Sequence, residues 1–511
     1  MQVTKAGRSG WDDLLIITDL SSESWECPAA GDSCIGRMFG RILARHLLFR
    51  FVQSLRTAAR LMIHREWGEI WRRIRGRPHP VLLPHAPTLD PNLRSVNQRF
   101  ENDQRRLLIG TVERFRVLLF APSLNLEGAP LSQLELTRAL AERDVIEAEV
   151  VSFKDGPLRE HYRQLGIPVR VCEPVLPNIP TVKCYDAAVD RIAALIREKS
   201  PGLVYANTLL NFPAIAAAEL AGVPSIWNVR EGEPPDSCFG FLSSAVAARA
   251  VGCLSLPYRV IFVAQAAADN WARFNLRNNF AVVRNGIAPR RPIEAADESA
   301  RNAERCALGI ASNEIMVLNI GTVCERKGQR DLIAAIARLP REILAHTKVF
   351  CVGDEPGPYS RALRTDIAAL PAELKARVSL LPTTSDVAPF YRAADIFALT
   401  SYREAYPRVV LEAMDYGLPI VSARSGGVVE QVEEGRNALL YTAGDVEALG
   451  SHLERILSDE ALRQHLRSGS PEMLARLPTF EQMIEAYSGT FREAYLSQWA
   501  EASSIVTNKA R

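Results

Sequence analysis

The feature of this sequence that most constrains its fold is an alternation of short apolar runs and helix-like stretches, which starts near residue 114. The first series of apolar runs reads "FRVLLFAP", "EAEVVSF", "PVRVCEP", "GLVYAN", "PSIWNV" and "VIFVAQ". Helical apolar spacing lies between these runs, for example in "LSQLELTRALAER". Strands and helices in repeated succession are typical of a doubly wound parallel sheet. This part of the chain is therefore predicted to form an α/β domain.

A second series of the same kind follows, with the runs "IMVLNIG", "KVFCVG", "VSLLP", "DIFALT" and "PIVSA" and helical stretches such as "GQRDLIAAIARL". The two series join at Asn285-Gly286 in "VVRNGIAPRRP", and an Asn-Gly pair suits a turn that requires positive φ. We therefore expect two Rossmann-like domains that face each other. Their ligand cleft should lie at the carboxyl ends of the strands.

With 511 residues, the chain is too long for one ordinary domain. We predict four segments. They are a basic, mainly helical extension with a proline-rich connector (1–112), an N-terminal Rossmann-like domain (113–287), a C-terminal Rossmann-like domain (288–475), and a C-terminal helix and tail (476–511).

Positive charge is concentrated in residues 35–77, which contain eleven arginines and two glutamates, a net charge of +9 in a chain of net charge +2. Arg37, Arg41 and Arg45 recur at four-residue spacing among apolar residues, which predicts a basic amphipathic helix. One interpretation places this helix on an anionic membrane surface. The other is a helical cap packed on the rest of the chain. An RNA-binding role is less favoured because no RNA-binding module is recognisable, and no nucleic-acid partner is expected.

The cysteines indicate a reducing compartment. There are nine, an odd number, with no C-x-x-C pair, which favours free thiols over disulfides or a zinc site. The N-terminus lacks the pattern of a signal peptide, and no apolar run reaches eighteen residues. We expect a cytoplasmic protein, held on the inner face of the membrane if residues 35–77 bind lipid.

The stretch "SYREAYPRVVLEAMDYGLPIVSA" places Glu404 and Glu412 eight positions apart. Pro407 is predicted to occupy the first position of a helix, whose exposed amides would attract an anion such as a phosphate. Two acids beside an anion site suit a nucleotide-sugar, which has hydroxyls at both ends and phosphates between them. The competing interpretation is a solvated helix start, where acids are common.

The region "EAYPRVVLEAMDYGLPIVSARSGGVVEQVEEGRNALLYTAGD" resembles the E-x7-E region of glycosyltransferase family 4, a group of retaining glycosyltransferases with the GT-B fold. "IGTVCERKGQRDLIAAI", "VFCVGDEPG", "FYRAADIFALTSYRE" and "VVRNGI" resemble further motifs of the family in the same order. The resemblance covers about residues 114 to 495. It implies a GT-B architecture, with the acceptor on the N-terminal domain and the nucleotide-sugar donor on the C-terminal domain.

The resemblance also implies residue roles. Glu412 would bind the ribose hydroxyls, and Glu404 would bind hydroxyls of the transferred sugar. Lys327 would neutralise the charge that builds up on the diphosphate leaving group, which is where catalysis gains most; its alternative is a solvated loop lysine. The remaining donor-binding candidates are Ala405, Tyr406, Arg408, Val409, Gly321, Thr322, Arg326 and Gly353.

Several positions depart from the family pattern. Thr322 replaces a usual arginine, and whether Arg326 compensates is left open. Arg230 and Glu231 stand where many members have histidine and glutamate; they are either catalytic groups facing the acceptor or a surface ion pair. Gly128-Ala129 resembles the family's glycine loop, which lines the phosphates or the acceptor, although packing alone could explain it. Pro407 occupies a position that is often glycine.

The expected activity is retaining, metal-independent transfer of a sugar from a nucleotide-sugar to a saccharide or lipid-linked acceptor, in bacterial-type surface polysaccharide or glycolipid synthesis. No D-x-D triplet is present, and neither a metal nor another cofactor is expected. The alternatives are a catalytically silent GT-B scaffold and another GT-B enzyme, such as a phosphorylase or epimerase. The sequence does not distinguish UDP, GDP and ADP donors.

Overall fold

The computed structural model describes residues 114–288 and 298–509. The predicted N-terminal extension, including the basic segment 35–77, lies outside the described residues. Two parallel β-sheets, each flanked by helices, belong to one compact unit. This architecture confirms the prediction of two Rossmann-like domains, which we call the N-terminal and C-terminal lobes.

The sheet of the N-terminal lobe has seven parallel strands in the order β3-β2-β1-β4-β5-β6-β7. The chain moves outward from β1 to β3 and then crosses back to β4, so a topological switch point lies between β1 and β4. The strands are β1 (Phe115–Ala121), β2 (Ile146–Ser152), β3 (Val169–Val171), β4 (Leu203–Asn207), β5 (Ser225–Val229), β6 (Arg259–Phe262) and β7 (Phe280–Val282).

The sheet of the C-terminal lobe has six parallel strands in the order β10-β9-β8-β11-β12-β13. Its switch point lies between β8 and β11 by the same rule, so both sheets offer a crevice at the carboxyl ends of their central strands. The strands are β8 (Ile315–Ile320), β9 (Thr347–Asp354), β10 (Val378–Pro382), β11 (Ile396–Leu399), β12 (Ile420–Ala423) and β13 (Ala438–Tyr441).

Helices follow most strands, as the apolar spacing predicts. In the N-terminal lobe they are α1 (Gly128–Glu142), α2 (Leu158–Gln164), α3 (Val182–Lys199), α4 (Phe212–Ala221), α5 (Pro235–Cys238), α6 (Ser244–Gly252) and α7 (Gln265–Trp271). Then come α8 (Glu298–Ala307), α9 (Gln329–Ile336), α10 (Arg341–Leu344), α11 (Pro358–Ala368), α12 (Ala372–Lys375), α13 (Ala388–Ala393), α14 (Arg408–Asp415), α15 (Val446–Ser458), α16 (Glu460–Ala475) and α17 (Phe480–Lys509). Short 3-10 turns are Leu176–Asn178, Leu209–Asn211, Cys253–Ser255, Ala272–Phe274, Glu325–Lys327 and Gly426–Glu430.

The C-terminal helix α17 returns to the N-terminal lobe. Its Phe491 ring lies 5.3 Å from the Tyr205 ring on β4, and its Tyr495 ring stacks on Phe115 at 4.3 Å. Phe491 is fully buried. Burial of such rings is strongly favourable, so this helix holds the end of the chain against the first sheet.

The Asn285-Gly286 connection is not the positive-φ turn that the sequence suggests, because Gly286 is not among the glycines with positive φ. Glycine is required there for space. A Cβ on Gly286 would lie 2.5 Å from the main-chain nitrogen of Phe480 and 2.6 Å from Thr479. The connection between the lobes therefore packs directly against the start of α17.

None of the helices in the described ranges combines the length and apolarity needed to cross a lipid bilayer.

Candidate functional site

Lys327 lies in the loop that follows β8, at the end of the short turn Glu325–Lys327. Its carbonyl oxygen accepts a hydrogen bond from Thr400 Oγ1 at 2.8 Å. The next residue, Gly328, has φ +64, and a Cβ there would lie 2.4 Å from the Thr400 carbonyl oxygen. Only glycine fits this position, which explains the K-G pair. The loop is thereby fixed against the segment that follows β11.

The Lys327 ammonium contacts the Glu404 carboxylate, with Nζ 2.5 Å from Oε1. Arg326 approaches the same oxygen at 3.5 Å. Burial raises the pKa of the Glu404 carboxyl, but the charges of Lys327 and Arg326 outweigh burial and hold the pKa below its usual value. Two cations therefore share one ionised carboxylate, which leaves an excess of positive charge at the end of this sheet.

The main chain of Glu404 is enclosed by glycines from both lobes. A Cβ on Gly426 would lie 1.8 Å from the Glu404 carbonyl oxygen, and a Cβ on Gly232 would lie 2.8 Å from it. A Cβ on Gly427 would lie 1.8 Å from the Ala405 carbonyl oxygen. Side chains at these positions would displace the loop, so glycine sets where Glu404 can lie.

Glu412 lies on α14, buried and directed into a network of side chains. The hydroxyl of buried Tyr391 donates to Glu412 Oε2 at 3.0 Å, and Arg408 Nη2 lies 3.6 Å from Glu412 Oε1. The helix begins at Arg408, one residue later than predicted, and Pro407 is its N-cap with extended backbone. The Pro407 carbonyl accepts a first-turn hydrogen bond from the Val410 main-chain N–H at 3.3 Å, so the proline still starts the helix.

Arg408 joins the two lobes. Its guanidinium makes a two-pronged ion pair with Glu135 on α1, with Nη2 2.9 Å from Oε1. Both side chains are mostly buried. Burial lowers the pKa of Arg408, but the carboxylates of Glu135 and Glu412 outweigh burial and raise it. The pair brings α1, which starts at the predicted glycine loop, to the cleft beside α14.

The glycine loop itself is held by side chains of the cleft. Asn207 Nδ2 donates to the Ala129 carbonyl at 3.0 Å, and Ser132 Oγ donates to the Gly128 carbonyl at 2.8 Å. A Cβ on Gly128 would meet no atom within 4 Å, so packing does not require glycine here. The structure therefore places Gly128 and Ala129 at the carboxyl end of the first sheet, next to Asn207 at the end of β4.

The predicted donor glycines lie together behind Lys327. A Cβ on Gly353, whose φ is +124, would lie 2.3 Å from the Gly321 carbonyl oxygen. A Cβ on Gly321 would lie 3.5 Å from Lys327 Cε. The Thr322 carbonyl accepts from Gln329 Nε2 at 3.2 Å. These contacts hold the ends of β8 and β9 beside the Lys327 side chain.

Arg230 and Glu231 do not form the ion pair that was the alternative interpretation. The Arg230 guanidinium donates through Nε to Asn207 Oδ1 at 2.9 Å and through Nη1 to Asn285 Oδ1 at 3.1 Å. The Glu231 carboxylate accepts main-chain N–H groups of Leu209 and Arg230, each at 3.0 Å. Burial raises the Glu231 pKa to about 7.

Two further predicted positions, Tyr406 and Val409, form hydrogen bonds through their main-chain carbonyls. The Tyr406 carbonyl accepts from Asn285 Nδ2 at 3.2 Å, and the Val409 carbonyl accepts from Tyr391 at 3.4 Å. Ala405 is buried. Glu135, Tyr391 and Asn207 were not expected at the site, and Asn285 was expected only in a turn, because no local pattern reveals a contact between distant segments. Within the described ranges, no group of three or more histidine, cysteine, aspartate or glutamate side chains could hold a metal ion.

Each of the two lobes matches a known protein-family model. Residues 300–473 match the family model described as glycosyl transferases group 1, and residues 127–286 match the glycosyl transferase 4-like domain. The chain belongs to glycosyltransferase family 4. Its fold is GT-B, as the resemblance implies.

Solved structures of other proteins have the same fold. Anabaena Alr3699/HepE in complex with UDP and glucose has a TM-score of 0.62 and 25% identity, over 74% of this chain and 99% of that chain. WaaG, a glycosyltransferase involved in lipopolysaccharide biosynthesis, has a TM-score of 0.58 and 16% identity, over 73% and 99%. At that identity, the likeness to WaaG shows the fold alone.

Curated relatives match part of the chain. The lipopolysaccharide core biosynthesis glycosyltransferase LpsE of Rhizobium meliloti is 32% identical over 185 residues, which is 36% of this chain and 52% of LpsE. Sulfoquinovosyl transferase SQD2 of Arabidopsis thaliana is 26% identical over 343 residues, which is 64% of this chain and 63% of SQD2. The match therefore spans less than two thirds of either relative.

Proposed function

We propose that this protein is a retaining glycosyltransferase that transfers a hexose from a UDP-sugar to a saccharide or lipid-linked acceptor. The observation that carries the proposal is the convergence of Lys327 and Arg326 on Glu404 at the end of β8. Glu412 lies in α14, the helix that begins shortly after Glu404. A diphosphate fits between two acids where positive charge is in excess. UDP is chosen because HepE, at 25% identity, is a complex with UDP and glucose.

In the proposed reaction, the bond between the sugar C1 and the diphosphate oxygen breaks, and its electron pair goes to the diphosphate. The acceptor hydroxyl oxygen bonds to C1 on the same face, and its proton passes to the departing diphosphate. Lys327 stabilises the negative charge that develops there. Glu404 holds hydroxyls of the sugar and Glu412 holds the ribose, so both substrates are oriented before the bond breaks. With cations in this role, we propose that no divalent metal is required.

A catalytically silent GT-B scaffold is the competing hypothesis, and the specific observation in its favour is Thr322 in place of a usual family arginine. Arg326 weakens this objection, because its guanidinium lies 3.5 Å from Glu404 on the same side as Lys327. We therefore favour the enzyme over the scaffold, and over a phosphorylase or epimerase, for which no motif is present.

We propose the acceptor class from the named relatives and the location from the charge of residues 35–77. LpsE acts in lipopolysaccharide core biosynthesis, and SQD2 is a sulfoquinovosyl transferase. We propose by analogy an acceptor in surface polysaccharide or glycolipid synthesis. The eleven arginines of residues 35–77 would hold a cytoplasmic enzyme on an anionic membrane, each contributing about 1 kcal/mol near the surface.

The test measures release of the nucleoside diphosphate from a panel of UDP-, GDP- and ADP-sugars by the full chain, with UDP-sugars expected to react. We expect Lys327→Gln to lower the turnover rate by roughly 100-fold or more, because its charge acts on the leaving group. The matched control is Lys199→Gln, which breaks a lysine–glutamate pair with Glu149 on the N-terminal lobe, where Nζ lies 2.6 Å from Oε1. It should leave turnover unchanged. Absence of turnover with every nucleotide-sugar, together with absence of nucleotide binding, would establish the scaffold instead.

A further inference from the structure

Within the described ranges, several cations of the cleft have a carboxylate partner, whereas Arg230 has none. The pairs are Arg408 with Glu135, Arg284 with Glu430, Arg403 with Glu233, and Lys327 and Arg326 with Glu404. These pairs neutralise charge in a partly buried region, where an unpaired charge is costly.

Arg230 has only neutral partners in the part of the chain that the structure describes. Nε and Nη1 donate to amide oxygens of Asn207 and Asn285. With the Asn228 amide turned to satisfy both of its polar atoms, its oxygen accepts from Nε at 3.1 Å and from Nη2 at 3.2 Å. The other neighbours are the phenols of Tyr205 and Tyr487. Amides and phenols satisfy the guanidinium's hydrogen bonds but leave its charge uncompensated.

The nearest acid in the chain, Glu231, does not compensate this charge. Its carboxylate accepts the main-chain N–H of Arg230 and that of Leu209. Within the described ranges, no ion pair joins the Arg230 guanidinium to the Glu231 carboxylate, and the hydrogen bonds of the guanidinium go to asparagine amides. The two side chains of the Arg230-Glu231 dipeptide therefore lead in different directions from the end of β5.

A second feature marks the same place. Thr208 follows Asn207 at the end of β4 and has φ +72, which is strained for a β-branched residue. Its hydroxyl is buried, and within the described ranges it has no hydrogen-bond partner. Backbone strain and unsatisfied buried polar atoms gather at ligand sites, where the bound molecule completes the hydrogen bonding.

This place adjoins the donor loop of the other lobe. Asn285 accepts from Arg230 through its oxygen and donates through Nδ2 to the Tyr406 carbonyl at 3.2 Å. Tyr406 lies between Glu404 and the start of α14. One side chain therefore separates the Arg230 guanidinium from the loop where the proposed donor phosphates would lie.

We propose that Arg230 is an anion-binding residue, whose guanidinium contacts a phosphate carried by one of the two substrates. The naming of the substrates rests on the proposed function. The phosphate belongs either to the diphosphate of the donor or to a phosphorylated acceptor. Because arginine binds phosphate through two parallel N–H groups, charge and geometry both contribute.

The test uses the full chain and titration calorimetry with three probes: UDP, uridine, and inorganic phosphate, the last added both to the free protein and to the protein saturated with UDP. We expect Arg230→Gln to lower the affinity for one phosphate-bearing probe by roughly 10- to 100-fold, which is the range for loss of a hydrogen bond to a charged group. Weaker UDP binding with unchanged uridine binding assigns the phosphate to the donor. Weaker phosphate binding with unchanged UDP binding assigns it to the acceptor.

Two further variants keep the result interpretable. Arg230→Lys keeps the positive charge but loses the two parallel N–H groups of the guanidinium. Its affinity for the affected probe should therefore lie between those of the wild type and Arg230→Gln. If Arg230→Gln does not fold, the affinities of Arg230→Lys test the proposal by themselves. Arg170→Gln removes an exposed arginine that pairs with Glu198 and should change nothing.

Unchanged affinities for UDP and for phosphate in a folded Arg230 variant would overturn the inference. UDP binding that requires Lys327 would then still support the proposed function. Conversely, phosphate binding that depends on Arg230 in a protein that binds no nucleotide would remove the proposed function and keep the anion site. A wild-type protein that binds neither UDP nor phosphate would overturn both the anion site and the proposed function.

Discussion

Glu231 combines a buried carboxyl with main-chain donors. Desolvation raises its pKa to about 7, although the N–H groups of Leu209 and Arg230 act in the opposite direction, and the charge of Glu233 raises the pKa further. The carboxyl is therefore protonated in a large fraction of folded molecules at neutral pH. Such a group can accept or release a proton near the working pH of an enzyme.

The raised pKa predicts how stability depends on pH. Below about pH 4.5, Glu231 is protonated in both the folded and the unfolded chain and makes no difference. Between about pH 4.5 and 7, the unfolded chain loses this proton while the folded chain keeps it, so the free energy of unfolding falls as pH rises. Glu231→Gln removes this slope. Thermal unfolding of both proteins at pH 5 and pH 8 measures the difference.

Glu160→Gln is the matched control, because the Arg163 guanidinium lowers the pKa of Glu160 instead. Its contribution changes below pH 4.5, outside the tested window. Parallel pH profiles for the wild type and Glu231→Gln would contradict a raised pKa at Glu231.

The short turn Gly426–Glu430 is the element that positions the loop carrying Glu404 and Ala405. Gly426 and Gly427 lie against the main chain of Glu404 and Ala405, and the Glu430 carboxylate at its other end accepts the first main-chain N–H groups of α7 in the opposite lobe. The turn therefore contacts the proposed catalytic loop and the facing lobe together.

Gly427→Ala tests this role. The new Cβ would lie 1.8 Å from the Ala405 carbonyl, so the donor loop must move. We expect a loss of about 1–3 kcal/mol in the free energy of unfolding, as for other overpacked sites. UDP affinity should fall at least tenfold because Glu404 is displaced. Urea unfolding and calorimetry measure the two effects.

Gly489→Ala on α17 is the control, since a Cβ there would meet no atom within 4 Å. Alanine in place of a helical glycine should stabilise the protein by about 0.5–1 kcal/mol. If Gly427→Ala behaved like this control, the turn would not determine the position of Glu404.

At the scale of the whole molecule, side-chain contacts across the cleft fix how the lobes face each other. Arg408 and Glu135 are 273 positions apart in the sequence and nonetheless form a mostly buried pair. On the other side of the cleft, Glu430 pairs with Arg284 at 2.8 Å. Both pairs lie beside residues that we assign to the donor.

Glu135→Gln tests the coupling between the lobes. Loss of one partner leaves the Arg408 charge mostly buried, which should lower the free energy of unfolding by about 3 kcal/mol or more. Arg408 can then turn fully towards Glu412, 3.6 Å away, and compete with the ribose for that carboxylate. We therefore expect weaker UDP binding as well, measured by calorimetry beside urea unfolding.

The same change at an exposed pair, Glu160→Gln, should leave stability almost unchanged, because solvent screens exposed ion pairs. An equally small effect of Glu135→Gln, with UDP affinity unchanged, would mean that Arg408 does not couple the lobes to the donor site.

The sequence by itself determined the two parallel sheets and the positions of Glu404, Glu412 and Lys327 in loops and helix starts. These follow from local patterns, because apolar periodicity and proline or glycine positions act over a few residues. Local patterns also predict that such loops meet at the carboxyl ends of parallel strands. The starting residue of α14 differed from its prediction by a single position.

Only the tertiary structure decided which residues meet across the cleft. Gly286 is required by the approach of Thr479 and Phe480, almost two hundred positions away, and not by its φ. The sequence left open whether Arg230 and Glu231 face the acceptor or form an ion pair, and the structure surrounds the Arg230 guanidinium with asparagine amides. Such contacts depend on how the two lobes pack against each other, and packing joins residues whose separation in sequence carries no periodic signal.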